Sequence, residues 1–305
     1  ALNFEGNFNT AGTFKVGCGN SNEFLDGYMA DVHFIDGQAL DPTEFGAFDS
    51  DGVWQIAEYE GTYGGNGFRL AFDDSTNLGK DSSGNGNDFT ASNFSVTPGA
   101  GNDLLFDVPK NGDQSDTGAG GEVSGNYATM NPLTKAYSSD VYSEGNLKLV
   151  GGYAYCRFNS TIGIGSGFGK FYAEIIRISY SSNSDDYAVG IFPNNSDYPV
   201  VGYYANGDKG IDSARSSYGA SYGDNDVIGV AVDTDSDTVT FYKNGVSQGA
   251  ISYSSGSRTY FFGTSGGGGF ASGDTCIANF GQRAFAYSAP SGYKALCTTN
   301  LPTPT

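Results

Sequence analysis

Short runs of alternating apolar and polar residues recur along the chain, separated by Gly, Asn, Asp and Ser. This period of two is typical of antiparallel β-strands, and little helical periodicity accompanies it. It predicts strands over 27–36, 68–72, 169–179, 187–192, 227–234, 238–243, 258–263 and 274–280. Between two of these runs, Asn244-Gly245 predicts a tight hairpin, because both central positions of such a turn need a positive φ. We therefore predict an all-β protein.

The same pattern divides the chain. Residues 1–58 carry strand signals that belong to one domain, and residues 59–125 are rich in Gly, Asp and Asn and predict a connector with one short strand. The regular strands of 126–290 predict a second domain, and 291–305 form a C-terminal tail. Alternation over 27–36 places His33 on the mixed face of its strand, where we expect it to face solvent.

Composition narrows the classes of function. The 305 residues include 15 Lys and Arg against 34 Asp and Glu, a net charge of -19. A protein that coats nucleic acid needs clustered basic residues, so we predict no nucleic-acid partner. Aromatic residues make up 14% of the chain, which indicates a folded protein. No apolar run reaches the length that spans a bilayer, so we predict no membrane insertion.

Catalytic chemistry finds few candidates. The single histidine limits metal and nucleophilic chemistry that uses imidazole. The four cysteines show no paired spacing typical of zinc sites, and their pairing stays open. Glycosidases need two carboxyl groups close together, but Glu58, Glu60 and Glu174 are isolated in the sequence. We predict no catalytic residues.

A binding patch is a better candidate. Tyrosines, which offer large rigid contact area, stand among amide and carboxylate groups between 197 and 222. The predicted ligand-binding residues are Tyr198, Tyr203, Tyr204, Asn206, Asp208, Tyr218 and Tyr222. On one interpretation these residues contact a glycan or protein through loops. On the other, half of the tyrosines cover the sandwich core with their hydroxyls in water.

Two acidic segments raise the question of calcium, the one cofactor considered, which prefers several oxygen ligands. The candidate ligands in the polar loop are Asp73, Asp81, Asn85 and Asp88. An ordered turn without metal is the favoured interpretation there. The same holds for Asp233, Asp235 and Asp237, which lack the Gly and the distal Glu of a helix-loop-helix calcium loop.

Several blocks in the second half resemble one family. KFYAEI at 170–175, DYAVGI at 186–191, DVIGVAVD at 226–233 and TVTFYKNG at 238–245 follow each other in the order found in SPRY domains. The resemblance covers 126–290. It implies a two-sheet concanavalin-like jelly-roll sandwich that binds partners through its loops.

The N-terminal block FLDGYMADVHFIDGQALDP at 24–42 resembles the closing strands of laminin-G-like or concanavalin-like lectin domains. These strands come last in that family, so we expect the chain to begin inside a domain. The resemblance implies tandem jelly-roll sandwiches, the first one incomplete at its N-terminus. Loops of such sandwiches often hold calcium. We expect the open strand edges of an incomplete sandwich to recruit a neighbouring chain.

Together with LGKDSSGNGNDFT at 78–90 and the segment 279–296, these blocks resemble virion proteins of marine bacteriophages, particularly tail-fibre-like ones. The resemblance implies a non-enzymatic virion component on the particle surface or outside the cell. We expect it to bind a host-surface glycan or a protein. We also expect it to contact other virion subunits and to form a homo-oligomer. The alternatives are a purely architectural subunit of a capsid decoration layer or filament, and a polysaccharide depolymerase.

Overall fold

The computed structural model of the protein describes most of the chain. The described residues are 14–19, 23–25, 27–48, 52, 54–99, 101–105, 126–134, 137–152, 157–179, 187–194, 199–212, 214–254, 256, 258–266 and 274–302. The chain forms two compact units, Ala1–Phe94 and Ser95–Thr305. The finer boundaries drawn from the sequence at 58, 125 and 290 stay predictions.

The first unit contains two short antiparallel pairs of strands. Strand β1 (Val32–Phe34) pairs with β4 (Phe68–Leu70), and β2 (Gly46–Phe48) pairs with β3 (Trp54–Ile56). A small aromatic core accompanies them, since Tyr59, Tyr63 and Phe68 are buried. The incomplete sandwich expected here stays a prediction.

His33 does not face solvent as expected. Its Nδ1 lies 2.8 Å from the Tyr63 hydroxyl, and its Nε2 lies 3.2 Å from the Asp31 carboxylate. Arg69 donates to the other oxygen of Asp31 at 2.7 Å. The mixed face predicted for His33 therefore carries polar neighbours rather than solvent. These side chains contact both ring nitrogens and leave the ring half-buried.

The second unit is built of antiparallel strands. In chain order they are β5 (Val141–Ser143), β6 (Lys148–Val150), β7 (Phe158–Ile164), β8 (Lys170–Ser179), β9 (Ala188–Pro193), β10 (Val201–Tyr204), β11 (Asp208–Ile211), β12 (Ala214–Ser217), β13 (Val227–Asp233), β14 (Thr238–Lys243), β15 (Val246–Ser252), β16 (Tyr260–Ser265), β17 (Thr275–Asn279) and β18 (Lys294–Ala295). Only short 3-10 turns interrupt them in the described part, at 132–134 and 298–300. None of the helices described is long and apolar enough to cross a bilayer.

These strands form two sheets. One has the order β12-β11-β10-β9-β16-β7, and the other has the order β15-β14-β13-β8-β17-β6-β5, with β18 added parallel to the start of β8. One buried apolar cluster draws side chains from both sheets, among them Ile191, Tyr203, Val230, Phe241 and Phe262. The all-β fold and the β-sandwich predicted for this region are confirmed.

The hairpin predicted at Asn244-Gly245 is also confirmed. It joins β14 to β15, and both residues have a positive φ, 49° and 79°. An added Cβ at Gly245 would lie 2.6 Å from the Tyr287 ring, so the position needs glycine for space as well as for conformation.

A row of glycines crosses the outer face of the six-stranded sheet. Consecutive strand registers place Gly263, Gly190, Gly202 and Gly210 side by side. Larger groups lie over this row, because Pro199 covers Gly202 and the Tyr204 ring covers Gly210. The missing side chains let these groups lie flat against the strands.

The segment after β17 crosses the outer face of the eight-stranded sheet and is held there by Glu174. This side chain is completely buried, and its two carboxylate oxygens accept the backbone N–H groups of Ala286 at 2.8 Å and Tyr287 at 2.9 Å. Tyr172, whose ring meets Phe285 edge-on at 4.9 Å, donates to Glu174 at 3.4 Å. The chain then returns to the sheet as β18, and Leu296 is buried in the core.

Burial raises the pKa of Glu174 from 4.5 to about 7, against the lowering effect of its hydrogen bonds from Ala286, Tyr287 and Tyr172. The folded protein therefore binds a proton at Glu174 over a pH range in which the unfolded chain has lost it. The stability contributed by this proton is complete below pH 4.5 and is lost as the pH rises through about 7.

We expect the free energy of unfolding to fall between about pH 5 and about pH 8, and Glu174→Gln to remove this group's part of the fall. Urea unfolding of both proteins across that range measures the difference. Parallel pH profiles for parent and variant would show that Glu174 does not titrate in this window.

Candidate interaction surface

Three strands lie within the segment predicted as a loop-rich binding patch. Residues 201–217 include β10, β11 and β12, which run to the edge of the six-stranded sheet. The sequence pattern does not predict these strands, because Gly, Asn and Asp interrupt their alternation every few residues. Tyr198 lies outside the described residues.

Tyr203 and Tyr222 belong to the core. Tyr203 is completely buried and its hydroxyl donates to the Ala220 carbonyl, while the Tyr222 hydroxyl donates to the Tyr203 carbonyl at 2.8 Å. Their ring centroids are 4.9 Å apart. These two rings therefore have no exposed face for a ligand. They correspond to the second interpretation, in which tyrosines cover the core, but their hydroxyls bind backbone rather than water.

Tyr218 acts as a wedge between β14 and β15. Its hydroxyl donates to the Gly249 carbonyl and accepts the Phe241 N–H at 3.4 Å. The strand register shifts at this point, between Thr240 and Tyr242, and Gly249 has a φ of 104°. The hydroxyl thus stands in for a direct strand-to-strand bond at a β-bulge.

Tyr204 and Arg215 form a stack on the outer face. The Arg215 guanidinium lies 3.8 Å from the centroid of the Tyr204 ring, which itself lies over Gly210. Tyr204 is 3% exposed, so it offers little surface of its own. Cation–π contact of this kind orients the guanidinium while leaving its edge accessible.

The turn before β11 is held by its own side chains. Asn206 accepts the Asp208 N–H at 2.9 Å and donates to the Asp208 carboxylate at 3.0 Å. Asn206 is exposed and Asp208 is half-buried. The pair forms an Asx turn that orders the chain between β10 and β11.

Strand β12 is the most exposed strand of this region. All four of its residues are exposed, and it lies at the end of its sheet. We call β12 together with exposed Asn206 and Asp212 the Arg215 ridge. Of the predicted ligand-binding residues, Asn206 belongs to this ridge and Asp208 pairs with Ser217 of β12. The ring of Tyr204 lies against the Arg215 guanidinium.

Asp226 fixes the segment that leads back from the ridge into β13. It accepts from Gly223 N at 2.8 Å and Asn244 Nδ2 at 2.6 Å, and it pairs with Lys243 at 3.2 Å. Burial opposes the charged form, but these bonds outweigh it and lower the pKa of Asp226. Lys243 also donates to the Ser221 carbonyl at 2.6 Å, which ties this segment to the hairpin.

The loop predicted as a calcium site is organised by hydrogen bonds between its carboxylates and backbone N–H groups. The Asp81 carboxylate accepts the backbone N–H groups of Arg69 at 2.9 Å, Ser83 at 2.9 Å and Asn87 at 2.8 Å. Burial opposes ionisation, yet these bonds lower the pKa of Asp81. Asp88 accepts the Asp81 N–H at 2.8 Å. The oxygens that would bind calcium are thus directed at N–H donors, and the calcium site stays a prediction.

The remaining candidate ligands do not gather around an ion. Asn85 turns its amide to the carbonyls of Gly64 and Gly67, and Asp73 is exposed. Asp233 accepts from Asp235 N at 3.0 Å and pairs with Lys170 at 3.1 Å. Across the described part of the chain, no three or more His, Cys, Asp or Glu side chains are placed to hold a metal ion.

Glu174 has the raised pKa of a general acid, but its position argues against catalysis. The carboxyl group is fully buried under the segment that contains Ala286 and Tyr287, and its oxygens are engaged by their N–H groups. A substrate cannot reach it in this arrangement. The shift in pKa follows from burial, as in many structural carboxyl groups.

Comparison with protein families finds the SPRY domain in residues 162–283, which is less than half of the chain. This match confirms the resemblance to SPRY domains drawn from the sequence. SPRY domains mediate protein–protein interactions and are generally non-catalytic. No curated protein matches the sequence.

Solved structures with similar folds include several SPRY domains. The SPRY domain of human HERC1 has a TM-score of 0.40 and 15% identity, covering 49% of this chain and 96% of that one. A second human SPRY domain has a TM-score of 0.36 and 16% identity, covering 48% and 97%. Stonustoxin has a TM-score of 0.37 and 14% identity, covering 50% of this chain and 27% of the toxin.

Removing the Tyr218 hydroxyl tests whether it joins β14 to β15. Tyr218→Phe leaves the Phe241 N–H and the Gly249 carbonyl without their bridge, so we expect unfolding free energy to fall by about 1–3 kcal/mol. Urea unfolding measures the change. Tyr293→Phe is the matched control. Its half-buried ring contacts Lys170 through the ring face, so this contact does not need the hydroxyl. Equal stability of the two variants would contradict the bridging role.

Proposed function

We propose that the second unit is a protein-interaction module that binds its partner through the Arg215 ridge. The SPRY match over 162–283 carries this proposal, because it contains the whole ridge. The ridge supplies the contact: an exposed strand at a sheet edge, with an ordered turn beside it. No catalytic step belongs to this function.

The chemistry of the ridge favours a protein over a glycan. A glycan site needs exposed flat rings, whereas Tyr203, Tyr204 and Tyr222 are buried. Arginine, together with Trp and Tyr, is enriched among residues that dominate protein interfaces. The stack on Tyr204 holds the Arg215 side chain in place before binding, which reduces the entropy lost on association.

The setting of this module belongs to the same proposal. We place the chain on the surface of a virion or outside the cell, as a component of a tail fibre or another appendage. The ordered blocks at 24–42, 78–90 and 279–296 support this placement through their resemblance to phage virion proteins. A partner on the host surface and a neighbouring virion subunit both fit the ridge, while a host-surface glycan is the second candidate ligand.

Substitution of the ridge arginine tests the module. Immobilised full chain should capture the same protein reproducibly from virion and host-surface fractions, and Arg215→Ala should weaken this binding by about tenfold or more. Arg258→Ala is the matched control, because it removes the same charge from another exposed position of the second unit. Its binding should equal that of the parent.

Two results would contradict the proposal. Equal loss of binding in both variants would show that net charge, rather than the ridge, determines capture. Specific signal on a glycan array, unchanged by Arg215→Ala and without a protein partner, would favour the glycan alternative. Thermal unfolding of each variant must first match the parent.

A further inference from the structure

The outer edge of β15 differs from the edges formed by β7 and β12. Strand β15 lies at the end of the eight-stranded sheet and pairs only with β14 among the described strands. By contrast, the edge strand β7 is covered by the chain itself, since Asn131 N donates to Asn159 O and Thr161 N donates to Thr129 O. The edge strand β12 carries the charged Arg215.

The free backbone groups of this edge can be assigned. Tyr253 N donates to Asp237 O, so Tyr253 points its backbone toward β14. Backbone direction alternates along an antiparallel strand, so Ile251 also points inward, while Ala250 and Ser252 point outward. Both of these residues are exposed, and their N–H and C=O groups have no partner within the described residues.

The edge lacks the usual protection against strand pairing. Proteins commonly protect an edge with charged residues, proline or a bulge. Residues 244–257 contain no charged residue and no proline, in a chain with 49 charged residues. The bulge at Gly249 interrupts one end of the edge but leaves the stretch from Ala250 to Ser252 regular.

We propose that β15 pairs with β15 of a second copy of this chain, antiparallel across a twofold axis at Ile251. This register sets Ala250 opposite Ser252 of the second copy, and each pair exchanges both backbone hydrogen bonds. A neutral edge offers no attraction to an acidic or basic strand, whereas a second copy brings an equally neutral strand of matching register. The eight-stranded sheets of the two copies become continuous.

This pairing uses a different strand from the Arg215 ridge, which belongs to the other sheet. The contact is short, and the net charge of -19 on each copy opposes association, so we expect a weak dimer that forms with rising concentration. Salt should strengthen the dimer. It screens the long-range repulsion between the two acidic copies and has little effect on hydrogen bonds at contact distance.

Sedimentation equilibrium of the full chain over a concentration series tests the proposal. The parent should dimerise, and Ala250→Pro, which removes an outward N–H without touching the β14 ladder, should raise the dimer Kd by about tenfold or more. Ser252→Lys should do the same by adding a charge to the edge. Ser217→Lys, the equivalent change on β12, should leave the dimer intact.

A parent that stays monomeric throughout the series, at low and high salt, overturns the proposal. So does a dimer that survives both Ala250→Pro and Ser252→Lys, because the contact then lies elsewhere. If Ala250→Pro lowers the melting temperature, Ser252→Lys decides. Loss of partner capture in Arg215→Ala with an intact dimer would leave both proposals standing, since each has its own variant.

Discussion

Buried backbone N–H groups must find acceptors, and in this protein side-chain oxygens supply several of them where the strands stop pairing. Asp81 accepts three N–H groups of its loop, and Glu174 accepts two from the segment that crosses the sheet. Tyr218 bridges the two strands at the bulge. These acceptors help to order the segments that connect the described strands.

Two of these groups, Asp81 and Glu174, resemble metal ligands or catalytic acids in their chemistry, but their oxygens are engaged by backbone N–H groups. An isolated carboxylate aimed at N–H donors has little capacity left for a cation, and a buried glutamic acid under a covering segment meets no substrate. The strand with Arg215 is different, since all four of its residues are exposed and the Arg215 guanidinium stacks on Tyr204. The proposed interaction function rests on this exposed strand.

The sequence predicts the centre of the sandwich well and its margins poorly. Strands β8, β13, β14 and β17 follow the alternation within one or two residues, because one face of each packs on the core. Strands β10–β12 and β15 are not predicted, because glycine and short polar residues there interrupt the apolar alternation. The burial of Tyr203 depends on residues distant in sequence, and the contacts of Asp81 depend on the conformation of its loop, so composition alone left two interpretations open for each.

Hydrogen exchange at individual amides tests the central claim most directly. The N–H groups of Ser83, Asn87, Ala286, Tyr287 and Phe241 lie outside regular strand pairing or at its interruption, yet each has a side-chain acceptor. We expect NMR-detected exchange at these amides to be much slower than in an unstructured chain, because each hydrogen bond must open before its N–H can exchange. Exchange at the unstructured rate would show that these side chains do not hold the loops, and would contradict the account.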